Sequence, residues 1–132
     1  MKKFTAVVLA FALFAAACGD DDAADPAAID TCEGAADATI AMLQDVVDII
    51  GALEPAALGA LMAGTEPPEF ADIEETAAAI GVKSQELGCT DMAGMLAERA
   101  DQLEAADENA IGQLIIQGVV DGDEDVLGRL FR

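Results

Sequence analysis

Apolar residues recur at helical spacing along most of the chain, and this periodicity limits the folds that the sequence can adopt. The clearest example runs from about residue 31 to residue 53, where the apolar stripe is formed by Ile40, Leu43, Val47 and Ile50. Three acidic residues of the same stretch lie off that stripe, namely Asp37, Asp45 and Asp48. One apolar face and one acidic face are typical of a helix packed on a core. The stretch therefore predicts a long central helix, which Asp30 or Thr31 could cap.

Further stretches of the same kind follow, separated by residues that end helices or form turns. We expect a short helix from Pro55 to about Gly64, and a third helix from about Pro68 to Leu87. A fourth helix starts after Thr90-Asp91, and its stripe is Met92, Leu96, Arg99 and Leu103. After a break at 107–109, a helical stretch through Ile111, Leu114, Ile115 and Val119 and a last amphipathic piece at 126–131 complete the pattern.

No stretch has the alternation of a β-strand, and the connections between the expected helices are short. The sequence therefore predicts an all-α fold over residues 30–132, a small antiparallel bundle of four to five helices. Because 54% of the residues are apolar, the chain differs from acidic chains that stay disordered.

The charge of the chain excludes one large class of partners. Its 132 residues include 26 acidic and 6 basic ones, which gives a net charge of −20. Nucleic-acid binding depends on Lys and Arg side chains that neutralise phosphates, so we expect no nucleic-acid partner. Anionic membrane surfaces should repel the chain for the same reason, and the repulsion between copies favours a monomer.

The amino terminus has the layout of an export signal. Lys2 and Lys3 precede an uncharged run from Phe4 to Ala17, which is too short to span a bilayer as a helix. The run ends in Ala15-Ala16-Ala17-Cys18, which resembles the lipobox of bacterial lipoproteins. The resemblance implies cleavage after residue 17 and a lipid on Cys18, with residues 18–29 as an acidic tether that anchors the domain to the membrane.

One position departs from the lipobox and leaves an alternative open. The family prefers Leu three residues before the Cys, where this chain has Ala15. Ala15 and Ala17 also satisfy the Ala-x-Ala rule of ordinary signal peptidase, which would cut at the same bond. The first alternative predicts an extracytoplasmic protein held on the cell membrane by lipid on Cys18. The second predicts a secreted or periplasmic soluble protein.

The number of cysteines favours lipidation and predicts a cross-link. In an oxidising compartment cysteines pair, and an odd thiol is a liability. If Cys18 carries lipid, Cys32 and Cys89 remain, the first near the start of the long helix and the second between the third and fourth helices. An antiparallel bundle can bring both points to one end, so we predict a structural disulfide between them. A redox pair would more often have C-x-x-C spacing.

The residues that most enzymes use are missing. The chain has no His, and therefore none of the usual Ser-His or Cys-His systems. We expect no enzymatic activity, no cofactor and no specific metal site. A calcium loop was considered at Asp121-Gly122-Asp123-Glu124-Asp125, but Val126 stands where such a loop needs Gly, and Arg132 where it needs Glu. A solvated turn is the favoured interpretation.

Arg99 is unusual because it lies on an apolar stripe, between Leu96 and Leu103. It could pair with a carboxylate of a facing helix while its stem packs on the core. It could instead recognise an anion in a groove, which makes it a candidate interaction residue. The first alternative is favoured.

The mature part resembles small Ala- and acid-rich exported proteins of actinobacteria. The matching pieces are Cys32, Pro67-Pro68-Glu69-Phe70, Leu87-Gly88-Cys89 and the Leu-x-x-Arg-x-x-x-Leu pattern of Leu96–Leu103. This resemblance supports the disulfide and carries no information about activity. The favoured function is a non-catalytic, membrane-tethered module that binds an extracytoplasmic protein or serves the cell envelope. A carrier of a small apolar ligand or lipid, and a carboxylate-based hydrolase, are the alternatives.

Overall fold

The computed structural model of the chain describes residues 25–65, 67–123 and 125. These residues form five α-helices and no strand. The helices are α1 (Cys32–Ala52), α2 (Pro55–Met62), α3 (Ala71–Leu87), α4 (Met92–Ala97) and α5 (Ala110–Val120), with single 3-10 turns at Pro26–Ala28, Pro68–Phe70 and Ala100–Gln102. The predicted all-α bundle of four to five helices is confirmed. The predicted signal peptide, Cys18 and the amphipathic piece at 126–131 lie outside the described residues.

The ends of the helices are set by residues of the expected types. The Thr31 hydroxyl accepts the Gly34 N–H at 3.0 Å and caps α1. Gly88 has a φ of 70°, the left-handed conformation that favours glycine, and ends α3. The Asp91 carboxylate accepts the Gly94 N–H at 3.3 Å and starts α4. Local sequence therefore determines where three of the helices begin or end.

α1 is the centre of the bundle and contacts α3, α4 and α5. Its apolar stripe is buried from Ile40 to Ile50, and Leu43 and Val47 are among the largest side chains that are fully buried. The core around this stripe also includes buried residues from α4, from the 3-10 turn after it and from α5, namely Leu96, Ala100, Leu103, Ile115 and Val119. The long central helix predicted from residues 31–53 is thus the element on which the others pack.

α3 runs antiparallel to α1, and the disulfide lies at one end of the pair. Cys32 is the first residue of α1 and Cys89 follows the end of α3, with their Cα atoms 5.6 Å apart and their sulfurs bonded. Ile80 of α3 is buried against Ala35 and Ala38 in the first turns of α1. The predicted Cys32–Cys89 disulfide is therefore present.

The folded part of the chain begins earlier than the sequence suggested. Residues 25–29 were expected to belong to the tether, but Ile29 is 8% exposed and packs with the α1–α3 cluster. The turn at Pro26–Ala28 contacts α3, and the Asp25 carboxylate accepts the Ala27 N–H. The boundary predicted before residue 30 therefore does not hold for Ile29, which is buried in one cluster with Ala35 and Ile80.

The predicted fourth helix is broken at Glu98–Arg99. α4 ends at Ala97, and a 3-10 turn at Ala100–Gln102 follows. The Arg99 N–H bonds to the Leu96 carbonyl, while the Arg99 side chain donates from Nη1 to the Met95 carbonyl at 3.0 Å. The side chain thus occupies the carbonyl that the backbone N–H of a continuing α-helix would use. Leu96 and Leu103 stay buried on either side of the break.

α5 approaches α1 closely at a glycine. The Asn109 amide caps α5 by accepting the Gly112 N–H at 2.9 Å, and it donates to the Val47 carbonyl at 2.9 Å. A Cβ atom at Gly112 would lie 2.5 Å from Asn109 Nδ2 and 3.0 Å from Val47 Cγ1. Gly112 therefore allows close packing of α5 on α1. It leaves no room there for the apolar ligand that the carrier hypothesis places between helices.

Removing the disulfide should lower the free energy of unfolding substantially. The bond joins residues 57 positions apart, and the chain-entropy model gives about 4 kcal/mol for a loop of this length. Urea unfolding of the purified chain should shift to a much lower midpoint when reductant is present. The Cys32→Ser/Cys89→Ser double variant should unfold at the low midpoint and should not respond to reductant. Equal midpoints for oxidised and reduced protein would contradict the prediction.

Two glycine substitutions should change stability in opposite directions. Gly112→Ala should destabilise the fold by about 1–3 kcal/mol, because the added methyl group overlaps Asn109 and Val47. Gly81→Ala in α3 should stabilise it by about 0.5–1 kcal/mol, since a Cβ there meets no atom within 4 Å and alanine favours the helix. Thermal unfolding followed by circular dichroism measures both changes. A stable Gly112→Ala variant would show that α5 does not pack as described.

Candidate functional site

Arg99 is held by a carboxylate of the facing helix. Its Nε donates to Asp37 Oδ1 of α1 at 2.5 Å, and the side chain is 18% exposed. The Asp37 side chain is 62% exposed, so the pair lies at the edge of the core and is partly screened by water. This is the first of the two arrangements considered for Arg99. To recognise an anion, the Arg99 guanidinium would have to release Asp37 or bind the anion and Asp37 together.

The loop from Leu103 to Asn109 is fastened to α1 by amide side chains. Gln44 accepts the Glu104 N–H at 2.8 Å and donates to the Glu104 carbonyl at 3.0 Å. It also donates to Asp48 at 2.8 Å, while Gln113 of α5 donates to the Ala105 carbonyl at 2.9 Å. A broad and open polar depression of about 860 Å³ lies beside this loop. The Gln44 and Gln113 side chains that line this depression hold the loop in place, so their hydrogen bonds have a structural role.

The roles of Gln44 and Asn109 were not predicted from the sequence. Asn109 was assigned only to a break, although a short amide side chain directly before an apolar helical stretch is a common capping signal. Its donation to the Val47 carbonyl is a tertiary contact for which the sequence gives no signal. Gln44 bonds to Asp48 within α1, but the partner through which it holds the loop is Glu104, 60 residues away along the chain.

A narrower groove lies between α1 and α3, at the end of the pair away from the disulfide. It encloses about 300 Å³. Its apolar lining comes from Met42 and Ile49 of α1 and from Ile73 of α3, and the acidic side chains along it are Asp45, Asp48, Glu69 and Asp72. Met42 is buried, Ile49 and Ile73 are partly buried, and all four carboxylate residues are exposed. We call these residues, together with Thr76, the α1–α3 groove.

The Asp121–Asp125 segment ends α5. Gly122 has a φ of 63°, and the Gly122 and Asp123 N–H groups bond back to the Val119 and Gly118 carbonyls. Asp121 accepts a hydrogen bond from Gln117 at 3.0 Å, and Asp123 accepts the Asp125 N–H at 2.9 Å. The two backbone bonds and the positive φ of Gly122 are those of a helix C-terminal cap. The turn that was favoured over a calcium loop is thus present through Asp123.

Within residues 25–65, 67–123 and 125, no group of three or more Cys, Asp or Glu side chains has the arrangement of a metal site. None of the helices in these same ranges combines the length and the apolar character that a membrane crossing requires. The acidic residues of the α1–α3 groove therefore do not form a metal site by geometry.

Comparison of the chain with models of protein families, with curated proteins and with solved structures gave no match. The candidate site consequently rests on the chain's own geometry, in which the α1–α3 groove combines an apolar floor with acidic sides.

Substitutions at the two ends of the Arg99–Asp37 pair should have unequal effects. Arg99→Ala should lower the free energy of unfolding by about 1–2 kcal/mol, because it removes the bond to the Met95 carbonyl and the packing of the stem. Asp37→Ala should change it by less than about 1 kcal/mol, since that side chain is exposed. Chemical denaturation of both variants and of the double variant measures the coupling. An Asp37→Ala effect as large as that of Arg99→Ala would contradict this assignment.

Proposed function

We propose that the mature protein is a non-catalytic, lipid-anchored module outside the cytoplasm that binds another protein at the cell envelope. The Cys32–Cys89 bond is the observation that supports this proposal most directly. Structural disulfides form and persist in exported proteins and are rare in the cytoplasm, so the bond agrees with the export signal at residues 1–17. The two lines of support are independent, because the first comes from the folded domain and the second from the amino terminus.

The cysteine count connects the bond to the anchor. The chain has three cysteines, and the disulfide uses two of them. Cys18 is the one that remains, directly after the Ala15-Ala16-Ala17 cleavage site. A thioether-linked lipid on Cys18 would leave no thiol to form unwanted cross-links in an oxidising compartment. Two or more acyl chains give stable attachment to a membrane, whereas one chain binds only marginally.

The charge of the mature domain supports binding to a protein over binding to the membrane itself. Cleavage after residue 17 removes Lys2 and Lys3 and leaves four basic residues against 26 acidic ones, a net charge of −22. An anionic lipid surface repels such a domain, so the lipid would hold it near the membrane while its own faces point to other molecules. Basic protein surfaces are the partners that this charge attracts.

The two candidate peptidases can be separated by one substitution. Ala15→Leu matches the position that the lipobox family prefers, so processing and lipidation at Cys18 should continue in this variant. Ordinary signal peptidase requires a small residue at the same position, so its cleavage should fail. Intact mass of protein purified from the membrane fraction, together with partition into detergent, measures both outcomes. Uncleaved Ala15→Leu protein would contradict lipidation and would indicate a soluble exported protein.

The matched variant Cys18→Ala removes the proposed attachment point. Wild-type protein should start at Cys18 and carry acyl mass, and it should stay with membranes in high salt. Cys18→Ala should carry no acyl mass. A wild-type protein that starts at Cys18 with a free thiol would overturn the anchor and leave export intact.

A further inference from the structure

We infer that the α1–α3 groove is the docking site for a basic amphipathic segment of the partner protein. This inference rests on the proposed function, since it names the chemistry of the partner that the tethered module would bind. It follows from three properties of the groove: its apolar floor, its acidic sides, and the absence of a basic side chain among the described residues that line it.

The floor of the groove is apolar and lies between α1 and α3. Met42, Ile49 and Ile73 line it, and Ile73 also packs against both buried clusters of the domain. The groove is therefore continuous with the core, which gives it fixed walls. About 300 Å³ is at the lower limit of ligand pockets and suits the insertion of one or two apolar side chains from a partner.

The sides carry carboxylates from both helices. Asp48 comes from α1. Glu69 lies in the 3-10 turn before α3, and Asp72 lies in the first turn of α3. Asp45 of α1 lines the groove as well. A partner segment with Lys or Arg on either side of an apolar stripe matches this arrangement, because its charges meet the two acidic sides while its stripe meets the floor.

The basic side chains of the described residues are engaged elsewhere. Lys83 contacts Glu86 at 3.1 Å within α3, and Arg99 contacts Asp37 of α1. Neither residue lines the groove. The positive charge that complements Glu69 and Asp72 is therefore expected from a second molecule.

Charge also decides between the possible occupants. A second copy of the chain would bring a further charge of about −22 after cleavage to an acidic groove, which disfavours a dimer through this face. Anionic lipid is disfavoured by the same repulsion. The chain's own segment 126–132 contains Arg129 and Arg132, so it is the competitor that an experiment has to exclude.

The test uses the full chain as purified from membranes, in non-ionic detergent with protein-free micelles as the blank. The probe is a short peptide of the repeat Lys-Leu-Leu-Lys-Lys-Leu-Leu, with a photoreactive analogue at one Leu and a fluorescent label. We expect cross-links at residues 42–49 and 69–76, mapped by mass spectrometry. A peptide of the same composition in scrambled order lacks a single apolar face and should bind at least about fivefold more weakly.

Two pairs of variants on the protein separate the groove from general charge attraction. Glu69→Gln/Asp72→Asn should weaken peptide binding about fivefold, whereas Glu74→Gln/Glu75→Gln removes the same charge from α3 outside the groove and should change it less than twofold. Ile49→Ser should weaken binding about tenfold, and Val82→Ser on the exposed part of α3 should have no effect. Circular dichroism melts confirm that each variant is folded.

Equal losses in the two acidic pairs, or cross-links outside 42–49 and 69–76, would overturn the inference. A rise in peptide affinity in Arg129→Gln/Arg132→Gln would also overturn it, because the groove would then hold the chain's own segment. Acylation at Cys18 together with any of these results would leave the proposed function standing without this groove. Unacylated Cys18 would contradict the proposed anchor and would not alter the peptide result.

Discussion

The burial of one face of α1 is the constraint on which the rest of the structure depends. Leu43 and Val47 are fully buried, and the other helices of the core pack around this face. α4 and α5 are only six and eleven residues long, and helices this short are marginal by themselves. Their stability comes from contact with α1. The acidic residues in the described part of the chain are consequently all exposed, where water screens their repulsion.

The features that could be predicted from the sequence are those that depend on a few neighbouring residues or on the number of cysteines. The Thr31 cap and the Gly88 terminus depend on a few neighbouring residues, and the Cys32–Cys89 pair followed from the cysteine count once Cys18 was assigned to lipid. The stripe of α1 predicted its burial because nearly every apolar position in it faces the core. The fold class was thus predictable from periodicity, without knowledge of which helices touch.

The features that were predicted wrongly share a different cause. In each case a contact with another part of the fold prevails over the structure that the local pattern indicates. A continuous fourth helix was expected through Arg99, but its side chain takes the Met95 carbonyl and the Asp37 carboxylate instead. Ile29 was assigned to a tether because Pro26 and nearby acids suggest one, yet a buried place exists for it beside Ile80. The α1–α3 groove joins residues about 25 positions apart on two helices, so no single stretch indicates it.

The two ends of the α1–α3 pair are held by different forces, and this difference bears on the groove. Cys32 and Cys89 fix one end covalently, whereas the groove begins at Met42, roughly 15 Å further along α1. At that end α1 is also held on its other side by two hydrogen bonds. Gln44 donates to the Glu104 carbonyl, and Asn109 donates to the Val47 carbonyl of α1. The α3 side of the groove includes Ile73, which packs against both buried clusters of the domain, and the exposed carboxylates of Glu69 and Asp72. A ligand that fills the groove would therefore contact a floor that belongs to the core and acidic side chains that remain open to water.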